Sequence, residues 1–202
     1  MAGQAKVILS TAGPFARYSD LLVQACVEQG THYTDITGEN HWVRTLIDKH
    51  HENASLKGVR IVPSCGYDSI PSDIGTFFAV SQFNKPVKRV ELFQEMQGGA
   101  SGGTIETAFS MGKLSKEMRD PFLLNPENSS TEEQRKYSKD MMRIEKIEEL
   151  DGWSGMFVMA AGNTRVVRRT AALMEQNQNS YGANFTFGEY GLKKKKKLAR
   201  RA

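Results

Sequence analysis

The fold class is indicated first by KVILSTAGPF at residues 6–15, where a short apolar and β-branched run enters a turn. Gly13 and Pro14 are typical of the loop that follows a strand. The next residues have apolar side chains at helical spacing, and Gly30 is placed to end that helix. Residues 32–36 then predict a second strand. The stretch therefore predicts a β-α-β unit.

The same alternation continues along the chain. Apolar positions at helical spacing predict a longer helix over residues 40–56, and residues 59–62 predict a third strand. Ser72 or Asp73 opens another helix. Helices of this length allow parallel crossovers, so residues 1–82 are expected to form part of a doubly wound, Rossmann-type parallel sheet.

After residue 82 the pattern changes, and residues 83–192 predict a mixed α+β lobe. Strands are predicted at 87–96, 156–160 and 181–190, a glycine turn at 98–103, a helix at 104–116, and a charged helix at 131–150. Residues 163–174 fit either a strand or a helix. The fold class is thus α/β, with a partial Rossmann-type sheet (its C-terminal half) followed by an α+β lobe.

The basic charge is concentrated at one end. The chain has 202 residues with 27 Lys and Arg against 23 Asp and Glu, and seven of the basic residues lie in residues 193–202. Such a run of like charges predicts a disordered, solvated tail, with an anionic membrane surface as one possible partner. Nucleic-acid binding is not favoured, because no aromatic residues interleave the lysines as stacking platforms.

Other classes are excluded by absent patterns. The longest apolar run has six residues, 156–161, far short of a membrane span, and the first residues lack the apolar core of a secretory signal. Cys26 and Cys65 are not clustered, which favours a reducing compartment. His50 and His51 are adjacent and point to different sides of a helix, so no metal site is predicted. A cytoplasmic location is expected.

The residues that are best placed to bind a ligand follow the predicted strands. In an open parallel sheet, ligands bind beyond the carboxyl ends of the strands, where residues 11–15 and 64–73 are placed. Both segments contain a glycine, a proline and hydrogen-bonding groups; ordinary turns would have the same composition. No Gly-x-Gly-x-x-Gly occurs in the chain, so the usual pyrophosphate cradle is missing.

Several blocks of the chain, in order, resemble the saccharopine dehydrogenase-like oxidoreductases, which include the proteins called trans-acting enoyl reductases. The blocks are ILSTAGPF at 8–15, ACVEQGTHYTDITGE at 25–39, CGYDSIPSD at 65–73, SGGTI at 101–105, RVVRRTAAL at 165–173 and YGANF at 181–185. The resemblance covers residues 7–190.

This resemblance implies an NADP- or NAD-binding domain, an oxidoreductase lineage and a small-molecule or lipid-linked substrate in glycolipid metabolism. It also implies lipid-droplet, mitochondrial or plasma-membrane association. Family members have a glycine-rich phosphate loop before the segment that opens this chain, and they usually have an apolar stretch after the YGANF block, where this sequence has lysines 193–197. Both ends are therefore expected to be shortened, and loss of the phosphate loop is expected to weaken dinucleotide binding. Uncovered strands would then leave apolar surface exposed and favour a homodimer through the sheet edge.

The resemblance also assigns residues to roles. The cofactor-binding residues are expected to be Gly13, Pro14, Phe15, Gly66 and Tyr67. The substrate-binding residues are expected to be Asp73, Ser101, Gly102, Gly103 and Thr104. Catalytic residues stay unknown, with Asp68, Ser69 and Cys65 as candidates.

Two further groups of residues carry alternatives. Asp35, Gly38 and Glu39 match a family block, and for Glu39 a helix-capping role is preferred over ligand binding. Arg165, Arg168 and Arg169 could bind an anion, although solvation at the surface is preferred. For the whole chain, an oxidoreductase is the first hypothesis, and a non-catalytic protein that binds an anionic membrane or a protein partner is the second.

Overall fold

The computed structural model describes residues 1–95, 115, 117–138 and 144–199. The chain divides into two compact units: unit 1 is Met1–Ile70 with Ala100–Leu124, and unit 2 is Pro71–Gly99 with Asn125–Ala202. This division differs from the boundary predicted after residue 82. Ser72 and Asp73 form hydrogen bonds to other residues of unit 2, in agreement with the division after Ile70.

Unit 1 is built on a three-stranded parallel sheet in the order β1-β2-β3. The strands are β1 (Val7–Ser10), β2 (His32–Asp35) and β3 (Ile61–Val62). Ser10 pairs with Asp35, and Thr34 pairs with Val62, so the carboxyl ends of the strands meet at one edge. The prediction of an α/β fold with a parallel sheet is confirmed.

Two helices of unit 1 form where the apolar spacing predicts them, and a short helix that was not predicted precedes them. The short helix is α1 (Phe15–Tyr18), and the predicted helices are α2 (Asp20–Gln29) and α3 (Asn40–Leu56). Gly30 ends α2 with φ 73°, a conformation that glycine adopts without steric cost, and its N–H donates to the Cys26 carbonyl. Val27 of α2 packs with Ala54 of α3 and with Val59. Burying a valine side chain contributes roughly 1.5–3 kcal/mol.

One face of this sheet is exposed. Strand residues alternate between the two faces, and Ile8 is buried whereas Val7 and Leu9 are 54% and 67% exposed. Val62, which shares their face through the pairing of Leu9 with Thr34, is 47% exposed. These exposed side chains lie on a face of the sheet; the predicted apolar surface at the sheet edge, and a homodimer through that edge, stay predictions.

Unit 2 contains a mixed four-stranded sheet in the order β4-β7-β6-β5. The strands are β4 (Arg89–Gln94), β5 (Lys146–Ile147), β6 (Gly152–Gly155) and β7 (Thr186–Lys193), and the helices are α4 (Ile70–Ser81), α5 (Glu132–Tyr137), α6 (Ala160–Gln176) and α7 (Lys196–Ala199). Strand β7 pairs in parallel with β4 and antiparallel with β6. Three short 3-10 helices, Ala2–Gln4, Glu117–Arg119 and Glu148–Leu150, complete the described elements of the chain.

The core of unit 2 lies between β7 and α6. Val167, Tyr181, Phe185 and Phe187 are buried together, and the rings of Tyr181 and Phe185 meet edge to face at 5.0 Å between centroids. The segment that fitted either strand or helix, 163–174, is helical because its apolar residues recur at helical spacing against this core.

Two predicted elements of unit 2 are wrong. In place of the long charged helix at 131–150, α5 begins at a capping box between Thr131 and Gln134 and ends at Tyr137, and β5 follows at Lys146. Strand β5 pairs with β6 across a turn in which Asp151 has φ 43°. The strand predicted at 156–160 is also displaced, since β6 ends at Gly155 and Ala160 begins α6.

The lysine-rich end is ordered as far as it is described, which corrects the expectation of a disordered tail over 193–202. Lys193 is the last residue of β7, and Lys196–Ala199 form the helical turn α7. Ala199 is buried, and its carbonyl oxygen would lie 2.9 Å from a Cβ at position 155, so Gly155 permits this close packing. The predicted glycine turn at 98–103 and, except for residue 115, the predicted helix at 104–116 lie outside the described residues.

Candidate functional site

The candidate site of unit 1 consists of the three loops at the carboxyl ends of its strands, here called the strand-end loops: residues 11–14, 36–39 and 63–69. Parallel pairing places all three at one edge of the sheet. This is the edge where α/β sheets bind ligands. Most of the residues that the sequence singled out in residues 1–70 therefore belong to one region.

Asp35 joins the second and third loops. Its side chain is fully buried, and Oδ1 accepts hydrogen bonds from the backbone N–H groups of Thr37 and Ser64, both at 3.0 Å. The Cys65 N–H donates to the backbone carbonyl of Asp35 at 2.7 Å. Burial raises the pKa of Asp35, and the two amide hydrogen bonds oppose that shift. Asp35 therefore holds the second and third loops together through hydrogen bonds, and its side chain does not face solvent.

Glu39 joins the second and first loops. Its carboxylate accepts the backbone N–H groups of Phe15 at 2.7 Å and Ala16 at 3.1 Å, which are free amides in the first turn of α1. The preferred capping role is confirmed, but the capped helix is α1 and not α3, whose first residue follows Glu39. A carboxylate at this position also complements the helix dipole.

The predicted cofactor residues divide into exposed and buried positions. Gly13 is exposed and Pro14 half-buried, whereas Phe15 is buried, with its ring 6.1 Å from that of Trp42. Tyr67 is 89% exposed. A Cβ at Gly66 would lie 3.1 Å from the Cβ of Ile36, so glycine lets the third loop approach the second.

The catalytic candidates also differ in environment. Asp68 is exposed, and Ser69 is buried in the turn that leads into α4. The Cys65 thiol is half-buried and lies 3.4 Å from the carbonyl oxygen of Val62. A carbonyl group cannot remove the thiol proton, so the geometry does not activate Cys65 as a nucleophile.

Asp73 was predicted as a substrate residue and lies in unit 2. The Thr170 hydroxyl donates to Asp73 Oδ2 at 2.9 Å, and Oδ1 is buried without a hydrogen-bond partner in the described part of the chain. Burial raises the pKa of Asp73 to about 6, and the bond from Thr170 partly offsets this shift. Burial and the Asp73 charge raise the pKa of Tyr181 to about 12.

Unit 2 also contains a buried polar cluster that the sequence analysis missed. Glu189 Oε1 accepts hydrogen bonds from Ser72 Oγ at 2.8 Å, Gln94 Nε2 at 3.1 Å and Asn163 Nδ2 at 3.2 Å. Burial raises the pKa of Glu189, and the three donors oppose that shift. Strand periodicity could have found this residue, because Phe187 and Glu189 are two positions apart and therefore share one face of β7.

Arg165 and Arg168 of α6 are buried, which corrects the preferred prediction of surface solvation for these two residues. Arg165 and Arg168 are only 5% and 4% exposed. Arg165 donates to the Thr164 hydroxyl, and Arg168 donates through Nη2 to the Phe187 carbonyl at 3.1 Å. Helical spacing could have indicated Arg168, since it lies four residues after Thr164 on the buried stripe. Arg169 is half-buried.

The remaining substrate predictions, Ser101, Gly102, Gly103 and Thr104, lie outside the described residues. Within the described ranges, no three His, Cys, Asp or Glu side chains are grouped so that they could hold a metal ion. None of the helices in those ranges has both the length and the hydropathy to cross a bilayer.

Among known proteins, relatives of this chain were found by comparison of whole sequences only. No protein-family model matches the chain, and no solved structure matches it. The trans-acting enoyl reductases of Mycobacterium ulcerans and Mycobacterium bovis are 36% identical over 205 residues and 35% identical over 209 residues. A Mycobacterium tuberculosis protein that is named as a provisional trans-acting enoyl reductase is 36% identical over 207 residues.

Each of these alignments covers 94% of this chain and 48% of the relative. The chain therefore spans about half the length of the curated relatives it matches. The similarity extends through both units, since 94% coverage cannot be confined to either one.

Proposed function

We propose that this chain acts in a reductase of the enoyl type that uses NADPH or NADH on an organic, lipid-linked substrate. The observation that carries the proposal is the similarity of 94% of the chain to proteins named trans-acting enoyl reductase. The strand-end loops support it, because they occupy the ligand-binding edge of a parallel sheet. On the sequence blocks described above, we place this lineage among the saccharopine dehydrogenase-like oxidoreductases.

The strand-end loops do not fit the pyrophosphate of a dinucleotide. A phosphate is usually held by the free amides at the start of a helix. Here the amides of Phe15 and Ala16 are already bound to the Glu39 carboxylate, whose charge would repel a phosphate. We therefore assign no pyrophosphate contact and no step of the reaction to these residues. What the loops do offer is exposed backbone and side chains at Gly13, Tyr67 and Asp68.

The experiment is a titration of the full chain with NADPH and NADH. The chain has two tryptophans, and Trp42 is packed against the first loop through Phe15. In a Trp153→Phe background, the fluorescence of Trp42 reports on unit 1 alone. Saturable quenching is expected, together with NADPH oxidation when a short trans-2-enoyl thioester is added. No quenching at millimolar cofactor would contradict the proposal.

A pair of glycine variants makes the test specific to the loops. Gly66→Val is expected to weaken cofactor binding by about tenfold or more, because its side chain would be forced against Ile36. Gly75→Ala, on α4 and outside the strand-end loops, is the matched control, since a Cβ there meets nothing within 4 Å. Equal affinities of the two variants would remove the strand-end loops from the proposal.

The second candidate function is a non-catalytic protein that binds an anionic membrane surface or protein partner. Two observations favour it: the occupied amides of α1, and the ordered lysines beside β6, where Lys196 Nζ lies 4.8 Å from the Trp153 ring centroid. Lys194 and Lys195 are exposed. If this function is correct, vesicles containing phosphatidylserine retain the chain. Charge reversal at both lysines then abolishes retention, whereas Lys85→Glu, also at an exposed site, does not.

A further inference from the structure

Unit 2 contains a partly open cavity of about 170 Å³, lined by residues of α6, of β7 and of the segment between β6 and α6. Phe187 is buried and belongs to the inner wall. Tyr137, Met156 and Val158 also line the cavity, but each of them is exposed to solvent. The cavity therefore has a closed apolar end and a mouth at the protein surface.

The charged side chains of the described wall are already bound to other groups of the protein. Arg89 is paired with Glu91 at 2.5 Å, and Arg168 donates to the Phe187 carbonyl at 3.1 Å. Glu189 Oε1 accepts three hydrogen bonds, and Oε2 is buried, so a ligand in the cavity does not reach it. These side chains use their charge within unit 2. A polar ligand atom at the closed end would lose its water without gaining a partner there, which is unfavourable.

The volume of the cavity sets the size of the group that fits it. An apolar cavity of roughly 150 Å³ stays dry and takes up benzene, which has six carbons. The space beside β7 is slightly larger, at about 170 Å³. Burial of apolar surface is then the main contribution that this cavity can make to binding.

We infer that this cavity binds an uncharged hydrocarbon group of about six carbons, and that the polar end of the same ligand stays in solvent at the mouth. The hydrocarbon packs against Phe157, Ala161 and Phe187, and the polar end lies beside Tyr137 and Met156. This inference is independent of the reductase proposal, because it involves neither the strand-end loops nor a nicotinamide cofactor.

The experiment is a titration of the full chain with linear alcohols, followed by NMR of the methionine methyl groups. The Met156 signal, assigned with Met156→Leu, reports on the mouth of the cavity. From 1-butanol to 1-hexanol the affinity should rise about fourfold for each added carbon, because each buried methylene adds a similar free energy. 1-Octanol should bind about as tightly as 1-hexanol, since the cavity is then full. Absence of saturable binding, or an unchanged Met156 signal, would overturn the inference.

A matched ligand tests whether the closed end is apolar. 1,6-Hexanediol has the length of 1-hexanol but carries a second hydroxyl at the end that would enter the cavity. It should bind at least about tenfold more weakly than 1-hexanol, because that hydroxyl would be buried without a partner. Equal affinities of the two alcohols for the native chain would contradict the inference.

A pair of alanine variants tests the location of the site. Ala161→Leu fills part of the cavity with a good helix former and should weaken 1-hexanol binding by about tenfold or more. Ala79→Leu, at an exposed position on α4, is the matched control and should leave the affinity unchanged. Native affinity in a folded Ala161→Leu protein would exclude this cavity as the site. If Ala161→Leu does not fold, the comparison of 1-hexanol with 1,6-hexanediol on the native chain decides the question.

Discussion

Replacing Asp73 by asparagine should stabilise the protein above neutral pH. The pKa of Asp73 is raised from 3.8 to about 6 by burial, so the folded state favours the protonated carboxyl. A shift of about two pH units corresponds to about 3 kcal/mol. Asparagine is neutral at every pH and still offers an oxygen to the Thr170 hydroxyl, so it avoids the cost of burying the charge.

The sign of the effect follows from the two protonation states. Below the unfolded pKa of 3.8, both states carry the proton, and Asp73 costs the folded state nothing. As pH rises towards 6, the unfolded state loses its proton first, and the folded state becomes progressively less stable. The substitution should therefore change the free energy of unfolding little near pH 4 and raise it by up to about 3 kcal/mol near pH 8.

The assay is urea unfolding of the full chain, followed by circular dichroism at a series of pH values. Asp151→Asn is the matched control, because Asp151 is exposed in the same unit and has φ 43°, which asparagine tolerates. The reasoning would be refuted by an Asp73→Asn protein that is less stable than the native chain near pH 8. It would also be refuted by a stability difference that does not vary with pH.

Three other outcomes are expected. Glu39→Gln should lower the free energy of unfolding of unit 1 by about 1–3 kcal/mol in urea titrations, because an amide has one oxygen where the carboxylate uses two for the first amides of α1; an unchanged midpoint would contradict the capping role. A thiol reagent should label Cys65, which is half-buried, in the native protein, and should reach Cys26, which is buried with a raised pKa, only upon unfolding. Leu9→Lys should reduce self-association in sedimentation experiments without lowering thermal stability, since Leu9 is 67% exposed; the substitution should have no effect if the exposed sheet face plays no part in association.

The elements of unit 1 could be predicted because their signals are local. The helix over 40–56 was expected from its apolar spacing and is observed with those bounds, and Gly30 ends α2 as its position suggested. Each of these features is decided by residues within a few turns of one another. The propensities and the apolar spacing point to the same structure, so no tertiary contact needs to override them.

Unit 2 was predicted less well because its decisive contacts are distant in sequence. A thin apolar stripe at helical spacing favoured one charged helix over 131–150, but Lys146 and Ile147 pair with β6 as a strand and residues 148–150 form a 3-10 helix. The polar cluster likewise joins Ser72 to Glu189, a separation of 117 residues. No residue near Ser72 or near Glu189 in the sequence predicts that the two side chains meet. The two-residue period of β7 does place Glu189 on the buried face.

The parallel pairing of β7 with β4 has a consequence for synthesis on the ribosome. Strand β7 lies between β4 and β6, where its Thr186 pairs with Arg89 of β4, yet among the described strands it is translated after all the others. Strands β1 to β3 are all encoded by residues 7–62 and can pair while the chain is still growing. The sheet of unit 2 has to wait, with β4 lacking its neighbour, until residues 186–193 have left the exit tunnel. Premature termination before β7 would release a nascent chain whose second sheet cannot assemble, a substrate for chaperones and proteases.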